Sequence, residues 1–102
     1  MKTYTICGSM RFWKEMQEIA YFLEINHGYN ILQCVYNPGI TDLTNDQIKN
    51  LEFAQYRRID LSDGIYVIDL GGYIGDSTSK EIEYARRKDK QIIYHSLSSL
   101  SR

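Results

Sequence analysis

Gly64-Ile65-Tyr66-Val67-Ile68-Asp69-Leu70 is the stretch whose reading decides the fold of this chain. Four apolar residues in a row, Ile65 to Ile68, stand between a glycine and an aspartate, with no polar position among them. A strand with one wet face alternates polar and apolar residues. A strand covered on both faces does not, and such strands form the middle of parallel sheets sandwiched between helices. Gly64 to Leu70 therefore reads as a core strand.

Upstream of it, Thr44 can cap a helix running to about Leu61, with Ile48, Leu51, Ala54, Arg58 and Ile59 on one face and Asp63-Gly64 as its interruption. Before that helix, Tyr29 to Tyr36 reads as a strand closed by the turn Asn37-Pro38-Gly39. Thr3 to Cys7, rich in β-branched residues and ended by Gly8-Ser9, is the first strand. From Met10 to Asn26, Trp13, Met16, Ile19, Ala20 and Leu23 recur at helical spacing, and Gly28 supplies the stop. Downstream, Gly71-Gly72-Tyr73-Ile74-Gly75-Asp76-Ser77 is a loop, followed by a helix from Thr78 to about Lys88 and a strand from Gln91 to His95. The Ser-rich tail, Ser96 to Arg102, is expected to fray.

The order β-α-β-α-β-α-β forces right-handed crossovers and a parallel sheet with helices on both faces. The expected architecture is a flavodoxin- or Rossmann-like α/β three-layer sandwich of four strands, or five, in the order 2-1-3-4, with residues 1–102 as a single domain. In such sheets ligands bind beyond the carboxyl ends of the strands where the winding reverses. That places a crevice between Gly8-Ser9-Met10-Arg11 and the segment Gly71 to Glu81.

With 43% hydrophobic and 25% charged residues, one proline and seven glycines in 102 residues, disordered and low-complexity readings are excluded. A net charge of -1 gives no drive toward a nucleic acid polymer or an anionic membrane surface. The opening residues lack the apolar stretch of a signal peptide, so a cytoplasmic location is expected. Cys7 and Cys34, without a CxxC and with two histidines in the chain, support neither a metal site nor a disulfide and read as buried core thiols. No metal or organic cofactor is called for. Nine tyrosines suit half-wet surfaces such as pockets and subunit contacts, and the small size favours a homodimer or larger homo-oligomer.

Two constellations carry chemistry. Gly8-Ser9-Met10-Arg11 lies where a strand hands over to a helix, so free backbone N–H groups and the positive end of the helix dipole converge on one point. Ser9 adds a hydroxyl and Arg11 a fixed cation suited to phosphate oxygens; the alternative is that Ser9 only caps the helix and Arg11 is solvated. In Gly71-Gly72-Tyr73-Ile74-Gly75-Asp76-Ser77-Thr78-Ser79-Lys80-Glu81, three glycines let backbone pass close to a ligand, and Glu81 is the focal residue. It either faces the crevice or closes a capping box with Thr78.

Ile6-Cys7-Gly8-Ser9-Met10-Arg11, Ile59-Asp60-Leu61-Ser62-Asp63 and Thr78-Ser79-Lys80-Glu81-Ile82-Glu83-Tyr84-Ala85 together resemble the nucleoside 2-deoxyribosyltransferase superfamily, which includes the 2'-deoxynucleoside 5'-phosphate N-hydrolases. The resemblance implies a small-molecule nucleoside or nucleotide substrate, cleaved at its N-glycosidic bond. It implies Glu81 as nucleophile and Gly8, Ser9, Met10 and Arg11 at the 5' end of the substrate. A carboxylate beneath C1' stabilises or attacks the oxocarbenium-like sugar that develops as the base departs. Tyr84, one helical turn beyond Glu81, either holds that carboxylate or serves in packing, with Asp76 or Asp69 expected to meet the base or a leaving-group nitrogen, and Gly71 and Gly72 near the ligand. Asp63 matches the family's aspartate at the start of strand three, or simply ends the preceding helix. Thr5 and Glu83 depart from the family pattern, as does Gln55, which stands where the family carries an aspartate and cannot transfer a proton. Two other functions share this crevice: a non-catalytic nucleotide-binding module, and an NAD glycohydrolase of the kind related to Toll/interleukin-receptor domains.

Overall fold

The core strand, β3 (Gly64–Ile68), is buried at all five positions. In the computed structural model, which describes residues 1–98, parallel neighbours flank it on both edges. β1 (Thr3–Gly8) pairs with it from Tyr4↔Gly64 to Gly8↔Ile68, and β4 (Gln91–Tyr94) from Gly64↔Gln91 to Val67↔Tyr94. β2 (Asn30–Leu32) pairs with the far edge of β1, so the order is β2-β1-β3-β4, four parallel strands as expected. Gly64 is required where β3 meets β4: a Cβ there would collide with the Gln91 carbonyl and lie 2.8 Å from the Gln91 Cβ.

Side-chain alternation along the strands builds one core on each face. Tyr66 and Ile68, with Tyr4 and Ile6, pack on Met16, Ala20 and Leu23 of α1 (Trp13–His27). Ile65 and Val67, with Cys7, pack on Ile59 of α2 (Asn45–Asp60) and on Ile82 and Ala85 of α3 (Asp76–Arg87). This is the three-layer α/β sandwich read from the sequence. Among the described residues, no helix is long and apolar enough to cross a membrane.

Several boundaries differ from expectation. Met10–Phe12 form a 3-10 turn rather than α-helix, and α1 begins at Trp13; Gly28, at φ 67°, ends it as expected. β2 spans three residues instead of Tyr29 to Tyr36, because an edge strand has only β1 to bond with, and beyond Leu32 the chain leaves the sheet. Thr44 caps α2 as expected, in a reciprocal capping box with Gln47. α3 starts at Asp76, two residues early, and β4 stops at Tyr94, one residue before His95. The tail is not loose throughout: His95–Leu97 form a 3-10 turn, and the Asp69 carboxylate accepts from the Ser96 N–H at 2.8 Å and its hydroxyl at 2.6 Å. Residues 99–102 of the expected frayed tail lie outside the described residues.

Candidate active site

β1 ends at Gly8, and the Ser9 hydroxyl accepts the Arg11 N–H at 3.3 Å to start the short turn that leads into α1. β3 ends at Ile68, and its loop brings the Tyr73 ring beneath the Arg11 guanidinium, 3.6 Å from carbon to ring centroid. Phe12 meets the same ring edge-on at 6.0 Å. Ser9 in turn lies against Gly75, the N-cap of α3. The two loops therefore pack against each other, and α3 begins beside the first turn. Cation–π and edge-to-face contacts between loops at the ends of adjacent strands hold that junction together.

Under the junction lies a hollow of about 340 Å³. Ile6, Gly8 and Met10 form one wall, and Cys34 and Val35, just past β2, form another. Ile48, Gln55 and Arg58 of α2 and Ser77 and Glu81 of α3 complete it. Glu52 lines it too, and together with Ser77 and Glu81 it lines a smaller adjoining cleft. The lining is mainly apolar with a few convergent polar groups, the usual chemistry of a small-molecule site.

Glu81 is half-buried, and its Oε1 accepts the Gln55 amide N–H at 3.2 Å. Burial pushes its carboxyl above the usual glutamate range, while the Cys7 thiol, the Gln55 amide and the Arg58 charge pull it back. The Gln55 nitrogen also donates to the Ile6 carbonyl at 3.0 Å, and Arg58 Nη1 donates to the Gln55 oxygen at 3.0 Å. Burial, then the nearby Glu81 charge, drive the Cys7 thiol well above its ordinary value, so it stays protonated. The capping-box alternative is overturned: α3 starts at Asp76, which puts Thr78 buried inside the helix and leaves Glu81 bonded to Gln55.

Of the residues singled out in the sequence, Gly8, Met10 and Glu81 line the hollow. Ser9 caps the turn and Arg11 is laid over Tyr73, neither of them lining it. Other expected positions need correction. Tyr84 does not hold Glu81; its hydroxyl donates to Asp60 at 2.7 Å and its ring stacks on Tyr56 at 4.5 Å, turned away by the helical rotation. Asp69 is spent on Ser96, at the end of β4. Asp63 lies at the amino end of the sheet, where its carboxylate accepts the Thr3 N–H at 2.8 Å, so it ties the start of β1 rather than lining the hollow; α2 ends before it, at Asp60 with Leu61 as its cap. Asp76 is exposed in the first turn of α3. Gly71 and Gly72 are exposed, with φ 63° and 80°; they make the turn and do not line the hollow. Cys34, expected in the core, lines the hollow half-exposed.

Sequence reasoning missed Glu52, and it treated Gln55 and Arg58 as a substitution and a face residue. The available signal was their spacing of three, which puts Glu52, Gln55 and Arg58 on one stripe of α2. Compared with known proteins, the chain matches no family model, no curated protein and no solved structure.

Proposed function

We propose that the hollow binds a nucleoside or nucleotide and cleaves its N-glycosidic bond, with Glu81 as the nucleophile, in the manner of the nucleoside 2-deoxyribosyltransferase superfamily that the sequence resembles. The observation that carries this reading is a half-buried carboxylate, held by an amide, on the wall of a 340 Å³ hollow lined by the carboxyl end of β1, the segment just past β2, α2 and α3.

The chemistry runs in two displacements. A Glu81 oxygen bonds to C1' as the C1'–N bond breaks, its electron pair leaving with the base, which takes a proton from solvent. Water then attacks C1', the bond to Glu81 breaks, and the released proton passes to Glu52, the second carboxylate on the wall, and on to solvent. An incoming base in place of water makes the reaction a transfer. The backbone of Gly8 and Met10, with Ser9 and Arg11 beside them, are the groups for a 5'-phosphate, at the start of the turn into α1. Met10, Val35, Ile48 and Leu51 are exposed apolar residues around the mouth, and a homodimer that covers them is part of the proposal.

A second reading has its own support. Glu52 and Glu81 set two carboxylates against the single Arg58 in the hollow. That balance suits a cationic nicotinamide, which leaves without protonation, so NAD is included as a substrate.

The test is a panel of nucleosides, 2'-deoxynucleosides, their 5'-monophosphates and NAD, followed by chromatography for free base, with Glu81→Gln in parallel. Base release by the native chain and none by the variant is expected. Equal release by both removes Glu81 from the reaction, and saturable binding with no release from any substrate selects the non-catalytic binding module.

A further inference from the structure

We propose that Gln55 is a positioning residue for Glu81, and that Arg58 locks the Gln55 amide in the one orientation that lets it serve. The catalytic side of this rests on the N-glycosidase reading; the positioning itself does not.

The neighbours fix which end of the amide is which. Arg58 offers only donors, and its Nη1 lies 3.0 Å from the amide oxygen. The Ile6 carbonyl and the Glu81 carboxylate offer only acceptors, and they lie 3.0 and 3.2 Å from the amide nitrogen. Turning the amide over would set oxygen against two acceptors and N–H against a guanidinium. Gln55 is 8% exposed, so water does not take over these bonds. One side chain thus ties the end of β1, the middle of α2 and the second turn of α3 to a single carboxylate oxygen.

An amide neither gains nor loses a proton in the ordinary pH range, so this donor serves Glu81 at every working pH. A carboxyl group at the same place would turn from donor to repelling anion as it ionised. The other charged or titratable groups around Glu81 are Cys7 of β1, Cys34 past β2, Glu52, Tyr56 and Arg58 of α2, and Lys80 of α3 itself. Cys7, held protonated, has its thiol on the Thr5 carbonyl at 3.9 Å and its sulfur accepting from the Gln55 amide at 3.7 Å. Gln55 is therefore the strong neutral donor that is bonded to Glu81, at 3.2 Å, and a hydrogen bond to a charged group is the kind whose loss is felt most.

The experiment is a side-chain NMR titration of the chain carrying ¹³C-labelled glutamate, with the Glu81 signal assigned through Glu81→Gln. In Gln55→Met, which keeps length and removes the donor, the Glu81 midpoint is expected to rise by about one pH unit or more, a tenfold gain in proton affinity. Gln55→Glu, which sets an acceptor in place of the donor, is expected to raise it in the same direction and serves if the Met variant does not fold. Arg58→Met, by freeing the amide and removing a nearby cation, should raise it as well. In any base-release assay, the acid limb of the pH–rate profile should move with the NMR midpoint. An unchanged Glu81 midpoint in a folded Gln55→Met or Gln55→Glu chain overturns the proposal. A raised midpoint with no base released from any substrate upholds the positioning and removes the N-glycosidase reading instead.

Discussion

Replacing Glu81 with glutamine should stabilise the fold while it removes the proposed reaction. The glutamine oxygen can still accept the Gln55 N–H, now 3.2 Å from Oε1, so the geometry survives and only the charge is lost. Burial is the leading influence on Glu81 and outweighs the combined pull of Cys7, Gln55 and Arg58, so its carboxyl in the folded chain stays above the usual range. Each pH unit of such a rise equals about 1.4 kcal/mol of cost to the ionised native state. A buried carboxylate carried at this expense is the kind of site where neutralisation returns about 0.5–2 kcal/mol. For a domain of this size, each kcal/mol moves Tm by about 4–8 °C. The sign depends on pH. Above the folded-state value, native Glu81 is charged and the gain is complete; as pH falls toward the unfolded value, the native chain binds the proton first, and the gain vanishes. Thermal unfolding by circular dichroism from pH 4 to 8 measures it. A Glu81→Gln chain no more stable than the native one at pH 7, or a gain that persists unchanged at pH 4, would refute the argument that burial dominates at this carboxylate.

Three other outcomes follow from the same contacts. Tyr84→Phe removes the 2.7 Å bond to Asp60 and should cost about 0.5–1.5 kcal/mol in a urea titration; because Tyr84 faces Tyr56 and not Glu81, base release should persist, and its loss would restore Tyr84 to the site. Gly64→Ala forces a methyl group onto Gln91 of the adjacent strand and should destabilise by about 1–3 kcal/mol or more, read by the same titration; a neutral result would mean that β3 and β4 can part without cost. Burial holds the His95 ring, bonded to the Tyr66 hydroxyl at 2.8 Å, below its ordinary value, so stability present above about pH 6.5 should be lost as pH falls through the folded-state value. His95→Gln should flatten that acid-side slope in Tm, and an unchanged slope would assign it to another group.

The order of elements and the sheet were legible in the sequence because each rests on local pattern. The unbroken apolar run at Ile65 to Ile68, the helical spacing from Trp13 to Leu23, Thr44 as a cap and Gly28 as a stop each act within a few residues. Strand alternation with helical crossovers then leaves few topologies to choose from. That Glu81 would stand beside the Gly8 turn also followed, since the carboxyl ends of parallel strands are brought to one side by the fold itself. Which groups Glu81 touches did not. Gln55 lies 26 residues before it and Ile6 is 49 residues before Gln55, and only packing of α2 and α3 on the same face of the sheet sets them within bonding distance. The same packing turned Tyr84 toward Asp60 and gave Asp69 to Ser96, pairs set by rotation about α3 and by the path of the chain after β4. Sequence by itself determined the scaffold and the end of it where the hollow opens, because those depend on periodicity and handedness. The partners of each polar side chain were decided by the tertiary structure, because a hydrogen bond depends on distances of a fraction of an ångström between elements far apart along the chain.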